Sequence, residues 1–599
     1  MKSLTNLLQV VLNDIGDWCH TSTVLDFKRI EDRIEHEGLS FLTITLPTYG
    51  KDFEKSLDRG YVDHDLFKSF SFRGGLPQLF GGFLDLVFDR GSGRLLDSPS
   101  IEAIQGIRQI TLMFSKVQIP CSDARNEAAL AKYIQCEKDV RKADKRFTGD
   151  IYDAFCKMSD RLWRDFFTYL DWNVYEVNIT PKHGPGVTAD RLYGNQKYRQ
   201  TEWTTRLEDY FPSAEFMFPT WQSYMENMND VRYLEPGEER PVKVILVPKT
   251  LKTPRIIAVE PTCMQYTQQA LLELIENGVE GFDTPRDFIR WKSQVPNQDL
   301  SMRASIDGSL ATLDLSEASD RVSNQHVRAM LRSHPHIAGA VDACRSRKAD
   351  VPGYGVKRLA KFASMGSALC FPFEAMVFLT VVMLGIQNAL NRPLTLKDIK
   401  SLKGQVRIYG DDIIVPVEYV NHVIDSLGTF GFLVNSDKSF WTGKFRESCG
   451  KEYYDGHDVT IVRCRQLLPS SRGHVQEIEA TVAMRNLFYK RGFWPTCRFL
   501  DSLIEEFIPF PAVAETSPGL GKLSALGYET HRTHPDYQSP LVKAAVSYHK
   551  LPNDNLEGDG ALLKFFLKRS ELPFADRKHL ERAGRPVAVG IKHRWVSPF

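Results

Sequence analysis

The stretch "QVRIYGDDIIVP", residues 405–416, sets two adjacent carboxylates, Asp411 and Asp412, directly behind Gly410 and between two runs of strand-forming residues. Val, Ile and Tyr favour extended backbone and Gly-Asp is turn chemistry. The pattern therefore predicts a β-hairpin with the aspartates at or beside its tip. Neighbouring strand residues point to opposite faces, so one aspartate is the main ligand candidate and the other more peripheral. Gathering carboxylates in an apolar setting is unfavourable through desolvation and repulsion unless a cation neutralises them. The hairpin has no histidine or cysteine, so hard, oxygen-preferring ions such as Mg²⁺ or Mn²⁺ are the natural candidates.

A further hard ligand stands about a hundred residues earlier in "GSLATLDLSEASDRVS", where Asp314 ends an apolar strand before a Ser-rich helix start, with helix expected over 317–332. By itself a strand-end aspartate followed by "SEAS" also reads as a helix N-cap. On neighbouring strands, Asp314, Asp411 and Asp412 would surround two ions roughly 3.5 to 4 Å apart, the geometry of two-metal phosphoryl transfer. "VKVILVPKTLKTPRIIAVEP" (242–261) reads as two strands joined by a loop carrying Lys249, Lys252 and Arg255. Those cations suit either a soluble sheet edge or a cradle for a triphosphate. "PKHGPGVTADRLYGNQKYRQTEW" (181–203), glycine-rich and basic with interleaved aromatics, suits a plain surface loop or one lying on a phosphate backbone and on bases.

At 599 residues the chain exceeds one hydrophobic core, and several subdomains are expected. Lys+Arg 76 against Asp+Glu 75 leaves almost no net charge, so a polyanion would have to be held by a local basic surface. The ten cysteines show no C-x-x-C pair and no zinc spacing, which points to reduced thiols in a cytosolic protein. "MKSLTNLLQVVLNDIGDW" reads as an amphipathic helix and lacks the features of a signal peptide. "ALCFPFEAMVFLTVVMLGI" (368–386) approaches the length of a membrane span but holds Pro372 and Glu374; a buried helix, and no membrane, is expected. The charged run "ARNEAALAKYIQCEKDVRKADKRF" reads as a solvated helix face. Between 305 and 465 strands and helices alternate, with helices expected over 367–390 and near 418–429, predicting an α+β or α/β sheet with helices on one face. After about 475 helical patterns such as "VQEIEATVAMRNLFYKRGF" and "GALLKFFLKRSEL" dominate.

Taken in order, "KHGPGVTADRLYGNQKY", "VPKTLKTPR", "NQDLSMRASIDGSLATLDLSEASD", "SMGS", "YGDDII" and "FRESCGKEYYDGHDVT" resemble the blocks of the replicase subunit of the small positive-strand RNA bacteriophages, the levivirus RNA-dependent RNA polymerases. The resemblance implies an α+β right-hand fold of fingers, palm and thumb, its palm an antiparallel sheet backed by helices. It places an N-terminal region and fingers at 1–240, the triphosphate-binding motif F and the approach to the palm at 241–304, the palm at 305–470, and a mostly helical thumb and C-terminal region at 471–599.

The same resemblance implies residue roles. "LATLDLSEASD" is similar to motif A, with Asp314 as metal ligand and the carbonyl of Leu315 as helper. "YGDD" is similar to motif C, with Asp411 as the second main ligand and Asp412 supporting. Lys249, Lys252 and Arg255 match motif F, whose cations neutralise the incoming triphosphate. Lys438 in "NSDKSF" falls where motif D carries a general acid, a role that requires its pKa to be lowered or the proton transfer to be late; an exposed loop lysine is the plain alternative. "KFASMGSALCFPFEAMVF" is similar to motif B, where Gly366 gives a mobile loop its backbone freedom and Ser364 and Ser367 approach template or nucleotide. Here the chain departs from the family: Ser367 stands where many relatives have Asn, and "SALCFPFE" replaces a polar stretch. The aspartate that senses the ribose 2′-OH in other viral polymerases lies five positions after the first; here that position is Ser319, and Asp320 follows at six. "FRESCGKEYYDGHDVT" is similar to motif E, a hairpin between palm and thumb in which Cys449 is expected to be packed.

The activity implied is synthesis of RNA on an RNA template from nucleoside triphosphates, with two Mg²⁺ ions and without a primer. It would take place in the cytoplasm of an infected bacterium, with the host elongation factors Tu and Ts and a ribosomal protein as partners. Two alternatives are weighed: a reverse transcriptase, which needs a bulky motif A residue that "LDLSEASD" does not offer, and a non-catalytic RNA-binding or assembly protein.

Overall fold

A computed structural model describes residues 2–290, 292–550, 554–568 and 588–599. Its central sheet has four strands in the order Arg407–Tyr409, Asp412–Pro416, Leu310–Ser316, Leu433–Val434, every pair antiparallel. Leu310–Ser316, which joins the two flanking pairs, is buried along most of its length, as its apolar run requires. Its register against Asp412–Pro416 is fixed by Ile413 opposite Leu313 and Val415 opposite Ala311. A slip of one residue would turn Asp314 to the other face.

The helices Cys370–Ala389 and Val420–Thr429 pack on this sheet and on each other. Their close approach needs Gly385, where a Cβ would lie 2.7 Å from the Cα of Val423. Cys370–Ala389 is long and apolar enough to cross a membrane, yet 89% of its most apolar window is buried inside the protein. The α+β architecture and this buried helix agree with the sequence reading.

Local differences have physical causes. The helix expected over 317–332 is two, Ala318–Arg321 and Asn324–Leu331. Ser323 interrupts it, its hydroxyl accepting from Gln325 N–H at 3.0 Å as the second helix's N-cap. The charged run forms the helix Asp123–Asp144, which is more than a solvated face: Leu130, Tyr133, Cys136, Val140 and Ala143 are buried. Spaced three or four apart they form a narrow apolar stripe, and Leu130 and Tyr133 pack against the strands Val242–Val247 and Arg255–Val259. Those two strands pair as expected, Val247 opposite Arg255. The strands Lys348–Val351 and Gly355–Arg358 extend them into a second four-stranded sheet.

The core divides in a way the sequence did not announce. Buried side chains from Phe147 to Phe432 form one cluster around the central sheet. A second joins residues 4–117 to 440–500, so the N-terminal segment shares its interior with a distant part of the chain. At this seam lies Arg108, fully buried, with Nη2 2.8 Å from Glu54 Oε1 and 2.9 Å from Glu452 Oε2. Lys51 also pairs with Glu54 at 2.7 Å and Arg463 with Glu452 at 2.8 Å. Beyond 475 the helices Val475–Lys490 and Trp494–Glu505 are present as expected. The expected "GALLKFFLKRSEL" helix is seen as Asp559–Leu567, its last residues lying outside the described ones. A three-stranded antiparallel sheet of Arg532–Thr533, Pro540–Lys550 and Ala588–Val596 accompanies them, so helices make up only part of the described residues in this region.

Candidate active site

Tyr409 pairs with Asp412, leaving Gly410 and Asp411 as a two-residue tip. Gly410 has φ +60°, and a side chain there would strike the Phe371 ring 2.6 Å away, so glycine is required on both counts. Across the next ladder Asp412 lies directly opposite Asp314. The N–H of Asp314 donates to Ser439 Oγ at 3.1 Å and its C=O accepts from Asn435 N–H at 2.8 Å. Because peptide groups alternate sides along a strand, those of Leu315 turn toward the side of the Asp412–Pro416 strand.

The carboxylates are balanced by nearby lysines. Asp314 Oδ1 accepts from Lys438 Nζ at 3.1 Å and Oδ2 from Asn435 Nδ2 at 2.9 Å. Burial raises the Asp411 carboxyl above the usual range and the charge of Asp314 adds to this, with Lys438 and Lys249 opposing it. Asp412 is pushed up to about 7 by burial, then by Asp411, Glu447 and Asp314. Like charges directly opposite one another destabilise a sheet, which is the conflict a cation removes.

The expected set of three converging carboxylates is not assembled: among the described residues no three Asp, Glu, His or Cys side chains converge to hold a metal. Asp412 Oδ2 instead accepts from Cys449 N–H at 3.2 Å, tying the tip to the hairpin Phe445–Ser448/Lys451–Tyr454. Cys449 and Gly450, both at positive φ, make that hairpin's two-residue turn. Asp314, Asp411 and the Leu315 carbonyl remain as hard oxygen donors that suit Mg²⁺ or Mn²⁺.

Around them the Lys249 side chain, exposed at the surface, is lowered by desolvation and by its neighbours Arg255 and Lys438, while Asp411 and Asp314 oppose the shift. The loop between the two strands is pinned from behind, Arg125 Nη1 donating to Leu251 C=O at 2.9 Å. Lys252 is exposed on that loop. For Lys438 the structure gives the reverse of what a general acid needs. Burial alone would lower its pKa, but Asp314 and Glu447 overcome this and hold it above the ordinary lysine value. The cause is the direct ion pair with Asp314.

Asp320 and Ser364 come together. Asp320 Oδ1 accepts from Ser364 Oγ and from Lys361 Nζ, each at 3.0 Å. Tyr133 Oη lies 2.9 Å from Ser364 Oγ, and Lys361 Nζ sits 3.6 Å from the Tyr133 ring centroid. Gly366 has φ +134°, and a Cβ there would lie 2.0 Å from Ala258 O; Met365 C=O accepts from Ala258 N–H at 2.8 Å. The motif B loop is thereby docked on the Arg255–Val259 strand. Ser367 is turned elsewhere, its hydroxyl donating to Gln268 Oε1 at 3.1 Å.

Sequence reasoning missed Lys361, Tyr133, Asn435 and Ser439, which anchor the aspartates and Ser364. Of these, the one legible signal was Lys361, a cation set inside the apolar approach to "FASMGS". In the 181–203 loop, Lys197 is buried with Nζ donating to Gly184 C=O at 2.6 Å, and His183 stacks on Tyr266 at 4.3 Å. Part of the basic and aromatic character read there holds the loop itself.

Residues 220–473 match the family described as RNA replicase, beta-chain. The match covers under half of the chain and shows what this region is similar to. The RNA-directed RNA polymerase beta chain of Escherichia phage MS2 is 36% identical over 235 residues, covering 38% of this chain and 39% of that protein. The beta subunit of Qbeta virus (strain MX1) is 30% identical over 292 residues, covering 48% and 45%. The chain thus spans less than half the length of these relatives. Among solved structures, the BmCPV RNA-dependent RNA polymerase at elongation state aligns over 60% of this chain and 34% of that one, at 11% identity and TM-score 0.37. The matched region contains the central sheet, Lys249 and Lys438. Arg108 and Tyr133 lie outside it.

Proposed function

We propose that the chain is an RNA-dependent RNA polymerase that copies a phage single-stranded RNA genome by two-metal nucleotidyl transfer, starting without a primer. The observation that carries this reading is the strand register that sets Asp314 opposite the Asp411–Asp412 hairpin, with Lys438 and Lys249 facing the same carboxylates. Asp314 and Asp411, helped by the Leu315 carbonyl, would hold Mg²⁺ or Mn²⁺; ions there activate a 3′-OH and stabilise the departing pyrophosphate.

The chain's own groups do the rest. Lys249 and Arg255, with Lys252 on the loop between them, neutralise and orient the triphosphate. Lys438 neutralises Asp314 and adds positive charge beside the leaving group; its proton is transferred late. Asp320, held by Lys361 and Ser364, stands ready for the ribose hydroxyls. Asp412 supports the tip through Cys449, and the loop at Gly366 moves over the nascent pair. Template sequence is read by base pairing, while protein contacts grip backbone and base faces.

Residues 1–240 are then N-terminal region and fingers, 241–304 fingers with the triphosphate-binding motif and the entry into the palm, 305–470 palm, and 471–599 thumb and C-terminal region. RNA and nucleoside triphosphates are the substrates; elongation factors Tu and Ts and a ribosomal protein are the partners, in the cytoplasm of the infected bacterium.

The test is nucleotide incorporation on an RNA template with Mg²⁺, with and without host factors. Asp314→Asn and Asp411→Asn should each abolish synthesis while RNA binding survives, and ribonucleotides should be preferred over deoxyribonucleotides. Synthesis retained by either variant would overturn the ligand assignment, and a deoxyribonucleotide preference would overturn the substrate assignment.

A further inference from the structure

Arg141, Arg328, Arg345, Arg347 and Arg358 line a cavity of about 380 Å³ that contains none of the candidate catalytic residues. It lies behind the segment that carries Lys361. Ala360 faces the cavity, its C=O accepting from Asn324 N–H at 2.9 Å, while the next residue sends its ammonium to Asp320. The lining comes from the end of the Asp123–Asp144 helix, the Asn324–Leu331 helix, the end of the Pro335–Cys344 helix with the residues just after it, and the end of the Gly355–Arg358 strand with the residues just after it. The cluster is therefore set by tertiary packing and is not a run of neighbouring charges.

Three of the five guanidinium groups are engaged. Arg345 is buried and donates to Phe362 C=O at 2.8 Å and Lys361 C=O at 2.7 Å. Arg347 pairs with Asp342 at 2.5 Å and Arg141 with Glu137 at 3.3 Å. Arg328 and Arg358 are exposed, and among the described residues neither guanidinium has a carboxylate within ion-pair distance. The two lining carboxylates are already used, Asp342 by Arg347 and Asp144 by the Ser323 hydroxyl. Five positive charges against three negative ones, Glu137 included, held around a cavity, attract an anion. The planar fork of arginine matches phosphate oxygens. No aromatic side chain lines the cavity, so a base has nothing to stack on and phosphate is what remains to be recognised.

We propose that this cavity is a second phosphate-binding site, taking either backbone phosphates of single-stranded RNA or the polyphosphate end of a free nucleotide, with Arg328 and Arg358 as its available ligands. It is separate from the synthesis reaction and does not depend on that reading.

The experiment compares the full chain with its Arg328→Gln/Arg358→Gln double variant, circular dichroism checking that both fold. Anisotropy of a labelled single-stranded RNA across a salt series reads one source; calorimetry with tripolyphosphate reads the other. If RNA occupies the site, losing two phosphate contacts lowers the slope of log K against log salt by about 1.4, at about 0.7 per contact for a single strand. If a free polyphosphate occupies it, tripolyphosphate affinity falls about tenfold or more with the RNA slope unchanged. Arg328→Lys/Arg358→Lys, which keeps both charges, should retain the wild-type behaviour in whichever assay responds. Unchanged RNA slope together with unchanged tripolyphosphate affinity in the Gln variant overturns the proposal, as does equal loss in the Lys variant.

Discussion

Replacing Arg108 with Leu tests how the N-terminal segment is held to the rest of the protein. The guanidinium is fully buried between Glu54 and Glu452. Burial alone would raise the Glu452 carboxyl, but Arg108 and Arg463 overcome that and bring it down to about 2 from an ordinary 4.5. A depression of that size corresponds to about 3 kcal/mol of stability, in line with about 3 to 5 kcal/mol for breaking a buried pair by removing one partner. Arg108→Leu should forfeit most of it, because Glu452 would keep only Arg463 and the weaker attraction of Lys51.

The readout is hydrogen exchange at two amides that cross the seam, Val462 N–H on Gln109 Oε1 at 2.8 Å and Cys464 N–H on Met113 C=O at 2.9 Å. At pH 7 they should exchange roughly 150-fold faster in the variant, about 3 kcal/mol of local opening. The sign with pH follows from the depressed carboxyl. Its stabilisation is fully present above 4.5 and is lost as pH falls towards about 2, so the ratio of variant to wild-type rates should shrink over that window. A ratio below about tenfold at pH 7, or one that does not change down to pH 3, would refute the assignment of this energy to Arg108.

Two further outcomes follow from other positions. Gly366→Ala would place a Cβ 2.0 Å from Ala258 O at a φ of +134°, storing about 1 to 3 kcal/mol of backbone strain; RNA synthesis should drop about tenfold or more with the circular dichroism spectrum unchanged, and near wild-type synthesis would contradict the docking of this loop. Glu260 is raised to about 7, burial outweighing the Ser346, Gln268 and Arg345 interactions that favour its charged form, so wild-type stability should decline as pH rises from 4.5 to 7, by about 3 kcal/mol in total. Glu260→Gln has no proton to lose, and Tm curves for the two proteins should diverge across that window; parallel curves would count against a neutral Glu260.

The parts of the site legible in the sequence were those encoded locally. The Gly410–Asp411 turn, the strand that carries Asp314 and the two strands flanking Lys249 each show in a handful of residues, because turn chemistry and β-branched runs are short-range signals. The charged helix hid its apolar stripe, since five buried apolar side chains are spread through twenty-two mostly polar residues. The break at Ser323 competed with a helical pattern that continued past it. Lys361 and Tyr133 could not be tied to Asp320 from sequence, as Tyr133 lies 231 residues from Ser364 and only packing brings them together. The commitment of Asp412 to Cys449 and the ion pair that holds Lys438 charged likewise depend on which strand lies beside which.

The second core, which joins residues 4–117 to 440–500, also bears on how the chain is made. The opening segment leaves the ribosome with an apolar surface whose counterpart is more than three hundred residues from being translated. At about 5 to 20 residues per second that is a delay of roughly 20 to 60 seconds. Throughout it the nascent segment must keep that surface from aggregating, and it gains its partner only once residues 440–500 have been made.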